Sequence, residues 1–162
     1  MHKALIPLAA AVALLGAGQA LQGQGKDHVA YPQGYRSWYH VKTMVLQPGH
    51  PLYDSFGGIH HVYANEKARK GLQTGTFDKG AVFVFDLLEA QSEENALTEG
   101  ARKVLAVMER DDKRFAATGG WGFEAFAQGD PTRRVVTNAK EQCFSCHESQ
   151  VQTGFVFSRW RP

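Results

Sequence analysis

Cysteine is scarce in this chain. Two residues in 162 are too few to staple a small secreted domain, so their spacing has to account for them. No charge of one sign dominates either, with 18 Lys and Arg against 16 Asp and Glu. A polybasic surface is therefore missing, and nothing in the charge points to nucleic acid as a partner. Beyond the first twenty residues no stretch is apolar enough to span a bilayer. Internal repeats and domain linkers are absent. A composition of 43% hydrophobic and 21% charged residues excludes disordered, collagen-like and low-complexity chains. Ten Phe, five Tyr and three Trp supply the large side chains of one core.

The N-terminus is a different kind of segment. Met1, His2 and Lys3 make a short basic start, and an apolar run from Ala4 to Gly18 ends in small residues at Gly18 and Ala20. This pattern predicts a secretory signal peptide over residues 1–20, cleaved after Ala20. Its removal takes away only Lys3. The mature protein is then exported, with no membrane attachment after cleavage. Residues 21–32 read as a flexible lead-in, and residues 33–162 as a single domain.

Along that domain strand signals dominate. Tyr35–Trp38 reads as a short helical turn, and Tyr39–Leu46 and Gly58–Ala64 as strands. Asn65–Leu72 reads as a short helix capped by Asn65. The segment Ala81–Leu88 carries Ala81, Phe83, Phe85 and Leu87 on one side and Val82 and Val84 on the other. Apolar on both faces, it belongs in the middle of a sheet covered on both sides. The acidic stretch Ala90–Gly100 reads as a long surface loop, Arg102–Glu109 as a strand, Asp111–Ala117 as a helical turn and Trp121–Ala127 as the last strand. From Thr137 the chain turns helical. The fold class is α+β, mainly antiparallel β-sheet with short helices.

The chemistry sits near the C-terminus. Cys143-Phe144-Ser145-Cys146-His147 is C-x-x-C-H, the attachment signature of a c-type haem. Two thiols three residues apart on a helical turn can each form a thioether to one haem vinyl group. The next residue, His147, is then carried under the iron as proximal ligand. Phe144 and Ser145 read as spacers. Other readings of the pair are a thioredoxin-like motif, a zinc site or a plain disulfide. The first lacks an early βαβ unit. The second lacks a further Cys/His pair, since His60 and His61 are adjacent on a strand and point to opposite faces. The third gives His147 no role. One covalent haem c per chain is the expected cofactor.

Function turns on the other face of the haem, because electron carriers use a Met or His there. Met44 and Met108 lie on predicted strands, where Met is ordinarily core filler. His28 and His50 sit in polar loops, while His40, His60 and His61 read as partly exposed strand residues. None is presented to the iron by a recognisable loop, so an open sixth position is permitted. Arg133, Arg134, Arg159 and Arg161 are candidates to pair with the haem propionates or to lie near the proximal His147.

Several segments together resemble the cytochrome P-460 superfamily. They are Tyr35-Arg36-Ser37-Trp38, Phe56 before the Gly58–Ala64 strand, the run from Thr74 to Phe85, Arg114-Phe115-Ala116, Trp121-Gly122-Phe123, and the C-terminal haem motif with Phe155 to Arg159. In the hydroxylamine-oxidising members the Thr74 strand ends in a Lys cross-linked to the haem; here the residue is Phe85. Their distal acidic residue corresponds to Ala106. What remains is similar to cytochrome c′-beta, the branch with an unmodified haem and a pocket capped by two Phe, here Phe56 and Phe85. That resemblance implies an antiparallel-sheet fold, a homodimer, a five-coordinate haem and binding of nitric oxide and carbon monoxide.

Phe cannot ligate iron, donate a hydrogen bond or transfer a proton, which makes such a distal face dry and crowded. The expected function is a periplasmic cytochrome that binds diatomic gases for scavenging, carriage or sensing, with a redox partner protein as a further expectation. A hydroxylamine- or peroxide-oxidising enzyme is the alternative, disfavoured by Phe85 and Ala106. A six-coordinate electron carrier is the third reading.

Overall fold

The computed structural model describes residues 28–162. The signal-peptide segment and most of the lead-in lie outside them. Five strands form one antiparallel sheet in the order β1-β2-β3-β4-β5: β1 Tyr39–Leu46, β2 Gly58–Ala64, β3 Val82–Glu93, β4 Ala96–Arg110 and β5 Trp121–Ala127. Every strand pairs with its sequence neighbour, as short connections favour. Helix α1 (Tyr53–Phe56) joins β1 to β2, and α2 (Glu66–Thr74) joins β2 to β3. The Asn65 side chain caps α2 by accepting from Ala68 N at 2.9 Å. Among the described residues no helix is long and apolar enough to cross a membrane.

β3 is the central strand, as its two apolar faces predict. One face buries Val62, Ala64, Phe83, Met108 and Phe123 beneath α2 and the C-terminal segment. The other buries Val84, Leu105, Val107 and Phe126 beneath Val29, Tyr35 and Phe115. Alternation along β3 sends Phe83, Phe85 and Leu87 to the first face and Val84 and Asp86 to the second.

The Ala90–Gly100 loop is corrected by the structure. β3 and β4 continue as a two-stranded ribbon through Ala90↔Glu99, Gln91↔Thr98, Ser92↔Leu97 and Glu93↔Ala96. The turn is Glu94-Asn95, both with positive φ (49° and 64°), the backbone a two-residue hairpin requires. The ribbon projects past the sheet with both faces mostly exposed, so its residues carry no hydrophobic alternation. Two smaller differences follow. β4 begins at Ala96 rather than Arg102, and the helical turn after it is confined to Ala116–Thr118.

Asp86 is fully buried (0% exposed) and completely partnered. It accepts from Tyr35 Oη at 2.6 Å and Arg36 Nη2 at 3.3 Å, and twice from Arg102, at 2.6 and 3.1 Å. Burial first, and the hydrogen bond to Asp86 second, push the Tyr35 hydroxyl up to about 12, so it donates as a neutral phenol. Removing one member of such a network strands the others. Asp86→Ala is expected to destabilise the protein by about 3 kcal/mol, read from the midpoint of chemical denaturation. A loss below about 1 kcal/mol would show that water replaces the carboxylate there.

Candidate functional site

Cys143, Cys146 and His147 share one helical run near the C-terminus. Lys140–Phe144 is wound as a π-helix, Ser145–His147 as an α-helix and Glu148–Thr153 as a 3-10 helix. Its start is held reciprocally. Asn138 Oδ1 accepts from Glu141 N at 3.3 Å, while Gln142 Oε1 accepts from the backbone N–H groups of Thr137 and Asn138 at 2.8 and 2.7 Å. Phe144 is more than a spacer. It is buried and packs against Phe123 and Phe155, with ring centroids 6.5 and 5.3 Å away. This plug seats the helical run on the sheet and leaves Cys143 half-buried and Cys146 exposed, both as free thiols. Burial pushes the Cys143 thiol up to about 11, which makes it a poor thiolate for disulfide exchange.

His147 is oriented by backbone. Its Nδ1–H donates to the Phe155 carbonyl at 2.8 Å; a carbonyl only accepts, so the lone pair stays on Nε2. That carbonyl is aimed by a strained turn, with Gly154 at φ 65° and Phe155 itself at φ 67°. The turn is tied down by Trp121 Nε1–H donating to Gly154 O at 2.9 Å and by Thr153 Oγ1 donating to Val156 O at 2.8 Å. Burial holds the imidazole below its ordinary value near 6.5, against the opposing pull of the Phe155 carbonyl. Phe123 and Phe157 flank the ring at 4.9 and 5.0 Å between centroids.

Phe85 and Ala106 are opposite in register, and Ala125 is opposite Ala106. Residues paired in this way share a sheet face, so Phe85 stands beside a floor of two small side chains. Phe56, at the end of α1, meets Phe85 edge to face with ring centroids 6.1 Å apart at 88°. The two residues matched to a Phe cap are thus brought together.

His60, read from sequence as partly exposed, is corrected. It is 1% exposed and lies 4.7 Å from the Phe85 ring. Its Nε2–H donates to the Phe56 carbonyl, and its Nδ1 has no partner. Desolvation chiefly, opposed by the Phe56 carbonyl and assisted by Lys103, Lys42 and His50, lowers its affinity for a proton. The signal was present in the alternation of β2, where His60 shares its face with the buried Val62 and Ala64.

The remaining sixth-ligand candidates separate cleanly. Met108 is packed in the core between Phe83 and Phe123 in register. His40 and His61 lie on the opposite face, bonded to Thr43 Oγ1 at 3.0 and 2.8 Å. His28 is 3.8 Å from Glu124, and His50 Nδ1 accepts from Leu52 N at 3.1 Å. Met44 lies opposite His60 in register on the edge strand, 37% exposed, so it is not core filler.

Of the four arginines, Arg134 is committed to the buried Glu124 at 2.7 Å and to Val29 O, and Arg133 to Gln128 at 2.5 Å. Arg159 and Arg161 have no carboxylate partner among the described residues. Lys42, missed in the sequence, has none either; it is opposite Val62 in register on the site's face. Burial, then Arg161, lower its affinity for a proton. A half-buried, unpaired cation beside a second one suits a carboxylate ligand.

A c-type haem fits this arrangement. A neutral imidazole offers Nε2, two free thiols lie one helical turn apart, and Ala106 and Ala125 leave room above the sheet. Phe56 and Phe157 present large aromatic surfaces that are 41% and 49% exposed, an apolar cradle for a flat macrocycle. No curated protein matches the chain. The Cytochrome P460 family model matches residues 32–158, which takes in all five strands and the whole cysteine–histidine run. The chain therefore belongs to the Cytochrome P460 family and carries its covalent c-type haem.

Proposed function

We propose that this cytochrome binds nitric oxide and carbon monoxide in the periplasm, as the cytochrome c′-beta branch of the family does, and does not oxidise hydroxylamine. Cys143 and Cys146 anchor the haem, His147 Nε2 binds its iron, and Phe56 with Phe85 caps the opposite face. When bound, the haem would supply the iron at which a gas could coordinate. Lys42 and Arg161 pair with its carboxylates. A homodimer is the proposed assembly.

The observation that carries this reading is the edge-to-face pair Phe56–Phe85 beside Ala106. At the position of the cross-linking Lys stands a ring with no nucleophile, and across from it a methyl group replaces the distal acid. Neither side chain can take or give a proton. Diatomic gases tolerate such a face. Bound dioxygen and peroxide, which build up charge, gain nothing from it.

His60 is the observation in favour of the six-coordinate reading, because burial lowers its affinity for a proton and its Nδ1 is unpartnered on the same face. Nδ1 is the ring nitrogen left free, and against ligation Phe85 packs on the ring. The optical and resonance Raman spectra of the purified protein decide between them. High-spin, five-coordinate ferric and ferrous haem is expected at neutral pH. A low-spin spectrum would overturn the open site and make His60 and Met44 the ligands to test.

Two further outcomes follow from the cap. Phe56→Ala and Phe85→Ala each remove a ring that an entering gas must displace from a close-packed space. Carbon monoxide association, followed by flash photolysis, is expected to quicken about tenfold, equivalent to about 1.4 kcal/mol of barrier. Unchanged rates in both folded, haem-loaded variants would return these residues to the ordinary core. The wild-type protein is expected to show negligible hydroxylamine turnover, and rapid turnover would sink the gas-binding assignment. The double variant Phe85→Lys, Ala106→Glu asks whether these two departures account for the missing activity.

A further inference from the structure

We infer that His60 is the positioning residue of the distal cap: by holding the Phe56 backbone to the sheet it sets the barrier an entering gas meets. This rests on the gas-binding reading above.

Phe56 is poorly held by its own packing. Its side chain is 41% exposed, and it ends a helix of four residues. What fixes it is backbone. The Phe56 carbonyl accepts from His60 Nε2, and the next carbonyl, that of Gly57, accepts from Lys103 Nζ at 2.8 Å. Gly58 follows at φ 130°, where a Cβ would lie 2.1 Å from Leu88 O. The backbone just after Phe56 therefore runs close against β3. His60 comes from β2 and also packs its ring on Phe85. One side chain thus touches both halves of the cap.

Core packing alone does not call for histidine here. At 1% exposure a Leu would fill the space without burying a ring nitrogen, whereas His60 keeps Nδ1 buried and unpartnered. Such a group is costly. The bond to Phe56 is what His60 supplies and Leu cannot.

The test uses the haem-loaded protein and two kinds of readout. His60→Leu is expected to speed carbon monoxide association roughly fivefold, the scale of one lost hydrogen bond, and to speed amide hydrogen exchange across residues 53–58. His60→Gln, which retains an N–H donor, should restore both toward wild type. In a Phe56→Ala background His60→Leu should add nothing further, because the ring it positions is gone. Accelerated association in Phe56→Ala but an unchanged rate in His60→Leu would overturn the positioning role and leave the gas-binding reading standing. Additive effects in the double variant would do the same. If Phe56→Ala itself changes nothing, or the wild-type haem is low-spin, the cap reading falls and this inference with it. Should His60→Leu fail to load haem, Lys103→Met at an exposed position removes the second tether. Unchanged association together with unchanged exchange in that variant would equally overturn a backbone-held cap.

Discussion

The hydrogen bond from His147 Nδ1 to the Phe155 carbonyl is the contact on which the site depends. In its proposed proximal role the imidazole must keep one nitrogen bare and its ring at one angle, and a backbone acceptor enforces both. Local helix geometry cannot supply that acceptor. The chain obtains it by leaving the helical run at Gly154 and holding Phe155 in a left-handed conformation, so that its carbonyl turns back toward the histidine. The strain is local; the restraint comes from elsewhere. Trp121, at the start of β5, pins the turn, and Phe144 and Phe155 close against each other over Gly119. The aromatic residues of the C-terminal segment thus serve the direction of one N–H.

A second constraint fixes the opposite wall. Phe85 and Asp86 are neighbours on β3 and point to opposite faces, the first into the site and the second into the buried network of Tyr35, Arg36 and Arg102. A slip of β3 by one residue would exchange them. It would place a carboxylate under the cap and a phenyl ring among two guanidinium groups. The penalty for burying Asp86 away from its partners therefore protects the identity of the residue proposed to face the haem. The polar network is remote from the chemistry and still decides which side chain reaches it.

Much of this was legible in the sequence, for identifiable reasons. β1, β2 and β5 carry the alternation and aromatic content of half-buried strands, and their expected bounds are those observed. The central place of β3 follows from apolar residues on both its faces. C-x-x-C-H identifies the cofactor because covalent attachment imposes its own spacing. The β3–β4 ribbon was illegible because it buries too little to need a pattern, and its Glu94-Asn95 turn lacks the glycine that ordinarily announces one. His60 was misread for the opposite reason. A polar residue in a strand suggests exposure, yet the face it shares with Val62 and Ala64 is the buried one. The roles of Lys42 and of the Phe155 carbonyl depend on long-range contacts that no local pattern encodes.

The proposed distal side combines a cap made of hydrocarbon with a buried imidazole behind it. They are compatible because the imidazole spends its only N–H on backbone. An N–H aimed at the axial position would favour ligands that build negative charge, dioxygen among them. Directed instead at the Phe56 carbonyl, it contributes order without polarity. Desolvation chiefly, with Lys103 and Lys42 nearby, lowers the affinity of His60 for a proton and so works against the second N–H that would make the ring a donor to the pocket. In the proposed pocket the histidine thus serves by positioning Phe56, with its one N–H bonded to backbone.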